Sequence, residues 1–144
     1  MGVVRFKKNI ILVLILLIVS STIHCSPKGQ VVKESDEAVL KRRVQEYWTY
    51  RIKGQLDKSY LYEAPEYKEK MDLVRYITLY GRGTVRWEGF EIMELWASGE
   101  EGYVRLNAKA RYQIPKFQEY VFDRVIEEKW IKKEGQWYHY DAVS

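Results

Sequence analysis

The hydrophobic period of the chain changes once, at Gly81-Arg82-Gly83, and this switch constrains the fold more than any other feature. Before it, apolar residues recur every three or four positions, as on a helix with one buried face. Leu40, Val44, Tyr47 and Trp48 form such a stripe, Arg51 and Gln55 continue its spacing, and Gly54 interrupts it. Ser35 or Asp36 supplies the short side-chain oxygen that caps an orphan backbone N–H at the helix start. Residues 56–62 predict a short aromatic helical piece. Pro65 predicts the first position of a further helix, where its missing N–H costs nothing. That helix would bury Tyr67, Met71, Val74, Tyr76 and Ile77 and end at the Gly81–Gly83 turn.

After Gly83 the segments 85–98, 103–114, 119–132 and 136–143 are rich in β-branched and aromatic residues and read as strands. The glycine-bearing stretches 99–102 and 133–135 read as hairpin turns. The second strand alternates cleanly, with Val104, Leu106, Ala108, Ala110, Tyr112 and Ile114 on one side. The first and third carry apolar residues in both registers, which predicts either a bulge, with Gly89 a candidate, or a partly covered second face. A run of helices followed by a run of strands predicts an α+β fold, with N-terminal helices packed on a curved four-stranded antiparallel sheet.

The start of the chain has a different character. Arg5, Lys7 and Lys8 precede ten unbroken apolar residues, 10–19, and then Ser20, Ser21 and Thr22. This basic, apolar, small-residue order is that of a secretory signal, and ten residues of helix cover only about half of a ~30 Å hydrocarbon core. The chain therefore divides into a signal peptide at 1–24, a polar Pro- and Gly-containing tether at 25–34 and a folded domain at 35–144. The whole chain has a net charge of +4 and a pI near 9.0, but the leading segment holds three of the basic residues and no acid. Beyond it 21 basic residues face 20 acidic ones, so the charge carries no argument for nucleic acid. One cysteine and two histidines in 144 residues exclude a disulfide framework and an all-cysteine zinc site, and no metal or cofactor is expected.

Two resemblances follow from these residues. Cys25, the sole cysteine, ends the apolar run and is followed by Ser26 and Pro27. It resembles the lipidated cysteine of bacterial lipoproteins, although Thr22, Ile23 and His24 depart from the Leu, small, Gly or Ala order before the cut. That resemblance implies export, a lipid anchor in the membrane at Cys25, and an outer-membrane or cell-surface location, since Ser26 stands where an inner-membrane retention Asp would. The folded part resembles the nuclear transport factor 2-like superfamily. The carrying residues are Tyr47-Trp48, Gly54-Gln55-Leu56-Asp57, Tyr60-Leu61-Tyr62 and Pro65-Glu66-Tyr67, then Glu128-Lys129-Trp130 and Gly135-Gln136-Trp137-Tyr138. This implies a cone between the sheet and the first helix, with a pocket inside.

The aromatic load is the strongest compositional signal: all five Trp and all twelve Tyr lie beyond the leading segment. Trp48, Trp96, Tyr112, Phe122 and Trp130 are the expected lining of a pocket for a flat or apolar ligand, against the plainer reading of a packed core. Arg105, Lys109 and Arg111 share one strand face and are the expected anion-binding tract. Asp123 and His139 are the sharpest catalytic pair available, because acid–base chemistry needs a carboxylate or imidazole of tuned pKa. The favoured function is an exported, lipid-anchored envelope protein that binds a ligand or partner protein, or a second copy of itself, without chemistry of its own. The alternatives are an isomerase, dehydratase or hydrolase using the same cone, or a structural module of an envelope assembly.

Overall fold

A computed structural model of the chain describes residues 34–112 and 119–141, which belong to a compact unit running from Glu34 to Ser144. The signal segment, Cys25 and the tether up to residue 33 lie outside the described residues. None of the described helices is long and apolar enough to cross a membrane.

Among the described residues, four helices precede the sheet. Helix α1 (Asp36–Ile52) starts where expected: the Ser35 Oγ accepts the Ala38 N–H at 3.2 Å, and Asp36 and Glu37 sit in the first turn, where the helix dipole favours acids. It buries Leu40, Val44, Tyr47 and Trp48 and stops at Gly54, whose φ of +68° is left-handed. Helix α2 (Leu56–Tyr60) is one short turn and a half. The single helix expected from Pro65 to Gly81 is two, α3 (Pro65–Lys70) and α4 (Leu73–Gly81). The break falls at Met71-Asp72, because Met71 is extended and the Asp72 carboxylate accepts the Arg75 N–H at 2.9 Å, capping a new helix. The break also changes the buried side: Tyr67, Met71 and Tyr76 are inside, while Val74 is 75% exposed and Ile77 is exposed.

The strands β1 (Val85–Ser98), β2 (Glu101–Tyr112), β3 (Tyr120–Lys133) and β4 (Gln136–Tyr140) form an antiparallel meander in sequence order. The α+β class with an open four-stranded antiparallel sheet is therefore as the sequence predicted. Register shifts between Trp87 and Gly89 and between Ile92 and Glu94 let β1 present Trp87, Phe90, Ile92 and Leu95 to one face despite their uneven spacing. The β2–β3 register runs unbroken from Glu101↔Ile131 to Tyr112↔Tyr120. The second apolar register of β3 is thus not a bulge: Val121 and Val125 lie exposed on the outer face.

Helix α1 lies on the inner face of the sheet. Its apolar stripe meets Val104, Leu106, Ala108, Trp130 and Trp137 in one buried cluster. The small residues of β2 make room for the indoles. At Gly102 even a Cβ would come within 2.6 Å of Leu40 and 3.1 Å of Trp137. Beyond β4 the chain adds a fragment of a fifth strand: the Ala64 N–H donates to the His139 carbonyl at 2.9 Å and the His139 N–H to the Tyr62 carbonyl at 2.8 Å. This parallel bridge sets Glu63 beside His139, 76 positions away in sequence.

Candidate functional site

Two features of the inner face hold the chemistry-bearing side chains. The first is a buried polar cluster around His139. Tyr47 comes from the fourth turn of α1, Glu63 from the bridge segment, Tyr76 from α4, Glu128 and Trp130 from β3, and His139 from β4. The Glu63 carboxylate accepts from the Tyr47 hydroxyl at 2.9 Å and the Tyr76 hydroxyl at 3.1 Å, and lies 2.8 Å from His139 Nδ1. The Glu128 carboxylate accepts from the indole N–H groups of Trp48 at 2.9 Å and Trp130 at 3.1 Å, and lies 3.8 Å from His139 Nε2. The imidazole therefore sits between two carboxylates, stacked on the Tyr47 ring with centroids 4.9 Å apart.

Burial alone opposes a charge on His139. The Glu63 hydrogen bond and the negative charges of Glu128 and Glu63 outweigh it, Arg51 acts against them, and the net effect is a pKa above the usual histidine value. Burial also raises the Tyr47 phenol well above its ordinary value, with Arg51 opposing and Glu63 adding to the rise, so Tyr47 is a hydrogen-bond donor throughout the accessible pH range. With His139 protonated, it is the cation that the two carboxylates meet, at 2.8 Å and 3.8 Å. Every group in this cluster is engaged, and Glu63, Glu128 and His139 are 2%, 6% and 9% exposed. Such a network joins α1, α4, β3 and β4 and specifies how they pack.

The second feature is a cleft of about 700 Å³ between the end of α1, the end of α4, the start of β1 and the start of β3. Arg51, Lys53, Arg86 and Arg124 line it together with Tyr80, Trp87 and Phe122. Arg51 belongs to both features. Its Nη1 donates to the Tyr47 hydroxyl at 2.8 Å, and its guanidinium lies over the Tyr80 ring at 4.7 Å and the Trp48 ring at 5.4 Å.

The structure separates several residues that the sequence grouped. Asp123 lies exposed on the outer face opposite Lys109, whereas His139 is buried on the inner face opposite Trp130, so the two make no pair. Of the five expected pocket aromatics only Phe122 lines the cleft. Trp48 and Trp130 are core residues held by Glu128; Trp96 stacks on Tyr103, which lies on the outer face, with centroids 6.0 Å apart; and Tyr112 ends β2 opposite Val85 and Tyr120. In the tract Arg105, Lys109 and Arg111, Arg105 meets Glu94 at 3.3 Å and Glu127 at 3.9 Å, and Arg111 meets Glu88 and Glu119. Two of its three cations are thus spent on neighbouring acids. Among the described residues no group of His, Cys, Asp and Glu has the geometry of a metal site.

Glu63, Glu128 and Arg124 carry no local motif. Glu128 stands beside Lys129 and Lys132-Lys133 and reads as a partner on a solvated face; its true environment follows only from counting Phe122, Arg124, Ile126, Glu128 and Trp130 as one register of β3. Glu63 enters the core through the bridge to β4, a contact that no periodicity announces.

No protein-family model matches the chain, and no curated protein matches it. Solved structures do. A SEC-C motif containing protein from Psychrobacter arcticus is similar with a TM-score of 0.56 at 12% identity, over 78% of this chain and 64% of that one. A SEC-C motif containing protein from Rhodopseudomonas palustris gives a TM-score of 0.49 at 18% identity, over 74% of this chain and 76% of that one. The likeness to the first is one of fold. It also corrects the resemblance drawn from the sequence: that neighbour is a SEC-C motif containing protein, and it does not support a lipoprotein of the nuclear transport factor 2-like superfamily. The physical reason lies in what carried that resemblance. Helices followed by a meander closed with a Trp-bearing hairpin is an order of elements, and an order of elements recurs in unrelated families.

Proposed function

We propose that the domain binds a small molecule in the cleft at the ends of α1 and α4 and performs no chemistry on it. The observation that carries this reading is the division of labour on the inner face. The groups suited to acid–base catalysis, His139, Glu63 and Glu128, are saturated by one another and by Tyr47, Tyr76, Trp48 and Trp130, with their partners at hydrogen-bond distance. A general base needs a substrate proton within reach, and these groups have spent their reach on the fold. The cleft, in contrast, combines apolar and aromatic walls with convergent cations in a volume typical of ligand sites. The basic, apolar, small-residue order of the first 24 residues supports export of this domain.

A thermal-shift screen of the full chain against a library of metabolites tests the binding reading. A hit that raises the melting temperature in wild type and loses its effect in Trp87→Ala supports it. Hits that stabilise both proteins equally, or turnover of a hit that depends on His139, contradict it.

A further inference from the structure

We propose that the ligand of this cleft is a small organic anion: a phosphate or carboxylate head on a flat apolar body. The inference rests on the reading of the cleft as a binding site and specifies its chemistry. Arg51, Lys53 and Arg124 line the cleft, with Arg86 at its rim in the outer row of β1 opposite Arg111, and no Asp or Glu lines it. All twenty Asp and Glu of the sequence are among the described residues, so the acids available to neutralise these cations are all in view. Apart from Glu119, which meets Arg111, none lies within ion-pair distance of Arg51, Lys53 or Arg124, whereas Arg42, Arg105, Arg111, Lys129, Lys132 and Lys133 each meet a carboxylate. Like charges gathered around one concavity repel each other and raise the local concentration of anions.

Two of the four are placed by the fold in a way that a solvated surface does not require. Arg124 occupies an inner-face position of β3, opposite Ala108, in the row that holds Phe122, Ile126 and Trp130. That row also holds Glu128, and Arg124 is its exposed member, at the mouth of the cleft. Arg51 is clamped by the rings of Tyr80 and Trp48 and donates one hydrogen bond, to the Tyr47 hydroxyl. Rings and a phenol fix the guanidinium, no carboxylate among the described residues lies within ion-pair distance of it, and the planar fork of donors that remains matches a phosphate or carboxylate edge. Trp87, Tyr80 and Phe122 supply the apolar walls for the body of the ligand. The outer-face tract of Arg105 and Arg111 lacks these properties, since both are already paired with acids.

The test is isothermal titration of the full chain with three probes: 1-naphthyl phosphate, inorganic phosphate and 1-naphthol. The expected result is that 1-naphthyl phosphate binds at least about tenfold more tightly than either fragment, with an affinity that falls as salt rises. Arg124→Gln, at an exposed position, should weaken it by about ten- to a hundredfold, the range for a lost charge-assisted hydrogen bond. Arg105→Gln on the outer face should leave it unchanged. Equal binding of 1-naphthol and 1-naphthyl phosphate overturns the anion and leaves the cleft as a neutral-ligand site. Equal binding of inorganic phosphate overturns the apolar body. Binding indifferent to Arg124→Gln, or no binding of any probe at about 1 mM, overturns the proposal itself, while the metabolite screen judges the cleft separately.

Discussion

Removing the Glu63 carboxylate is the most informative perturbation of the fold. In Glu63→Ala the Tyr47 hydroxyl loses its acceptor at 2.9 Å, and His139 Nδ1 loses a carboxylate at 2.8 Å. Tyr76 loses an acceptor at 3.1 Å but keeps Ser59 at 3.2 Å. A buried neutral hydrogen bond is worth about 1 kcal/mol and one to a charged group about 1.5–3 kcal/mol. Allowing for the partner that Tyr76 keeps, the loss is about 3–5 kcal/mol, the usual cost of breaking a buried charged network. At roughly 4 °C per kcal/mol for a domain of this size, the melting temperature should fall by about 12–20 °C. Glu63→Gln separates charge from shape. Its amide oxygen still accepts from both tyrosines, but its NH₂ faces Nδ1 and asks the imidazole to be neutral. The loss should then be about 1.5–3 kcal/mol, with the His139 pKa lowered relative to wild type. Circular-dichroism melts and proton NMR of the His139 ring measure the two effects. A drop of less than about 4 °C in Glu63→Ala, or an unchanged His139 titration in Glu63→Gln, would refute the reasoning.

Other expectations follow from single features. The folded pKa of His139 is raised by Glu63 and Glu128 against the cost of burial. Its stabilisation is therefore complete below the unfolded value of about 6.5 and is lost as pH rises through the folded pKa. Urea midpoints should fall across that window in wild type and flatten in His139→Asn; a wild-type midpoint that climbs with pH contradicts the assignment. Gly102→Ala drives a Cβ to 2.6 Å from Leu40, so overpacking should cost about 1–3 kcal/mol in chemical denaturation, and a neutral effect would mean that the helix sits further from β2. Ser35→Ala removes the α1 cap and should cost about 1 kcal/mol; retention of full stability would show that the Ala38 N–H has another acceptor.

Much of the architecture could be read before any coordinates. The bounds of β1 fall where the residue pattern put them, the Ser35 cap and the Gly54 stop delimit α1, and the alternation of β2 names its buried residues. These features are local: each is decided by residues within one turn or one strand. The break at Asp72 is not legible in the sequence, because a carboxylate that caps a helix looks like any polar position within one. The site was harder still. His139 could be assigned to neither face, because Trp137 and Tyr138 are both good core residues; the parallel bridge to Glu63 decides it. Arg124 and Glu128 gain their meaning only when the inner register of β3 is traced against Ala108 and Val104 of β2. Long-range pairing thus sets the environment of every group in both the cluster and the cleft, and no short window of sequence contains it.

Amide and side-chain NMR of the full chain during titration with 1-naphthyl phosphate tests the central claim most directly, because it reports on the cleft and the buried cluster at once. The account predicts saturable shifts at Gly54, Tyr80, Trp87, Phe122 and Arg124, with the His139 ring and the Tyr138–Tyr140 amides largely unmoved. Shifts centred on His139 and Glu63 with the cleft residues silent would contradict it, and would place the ligand at the acid–base cluster instead.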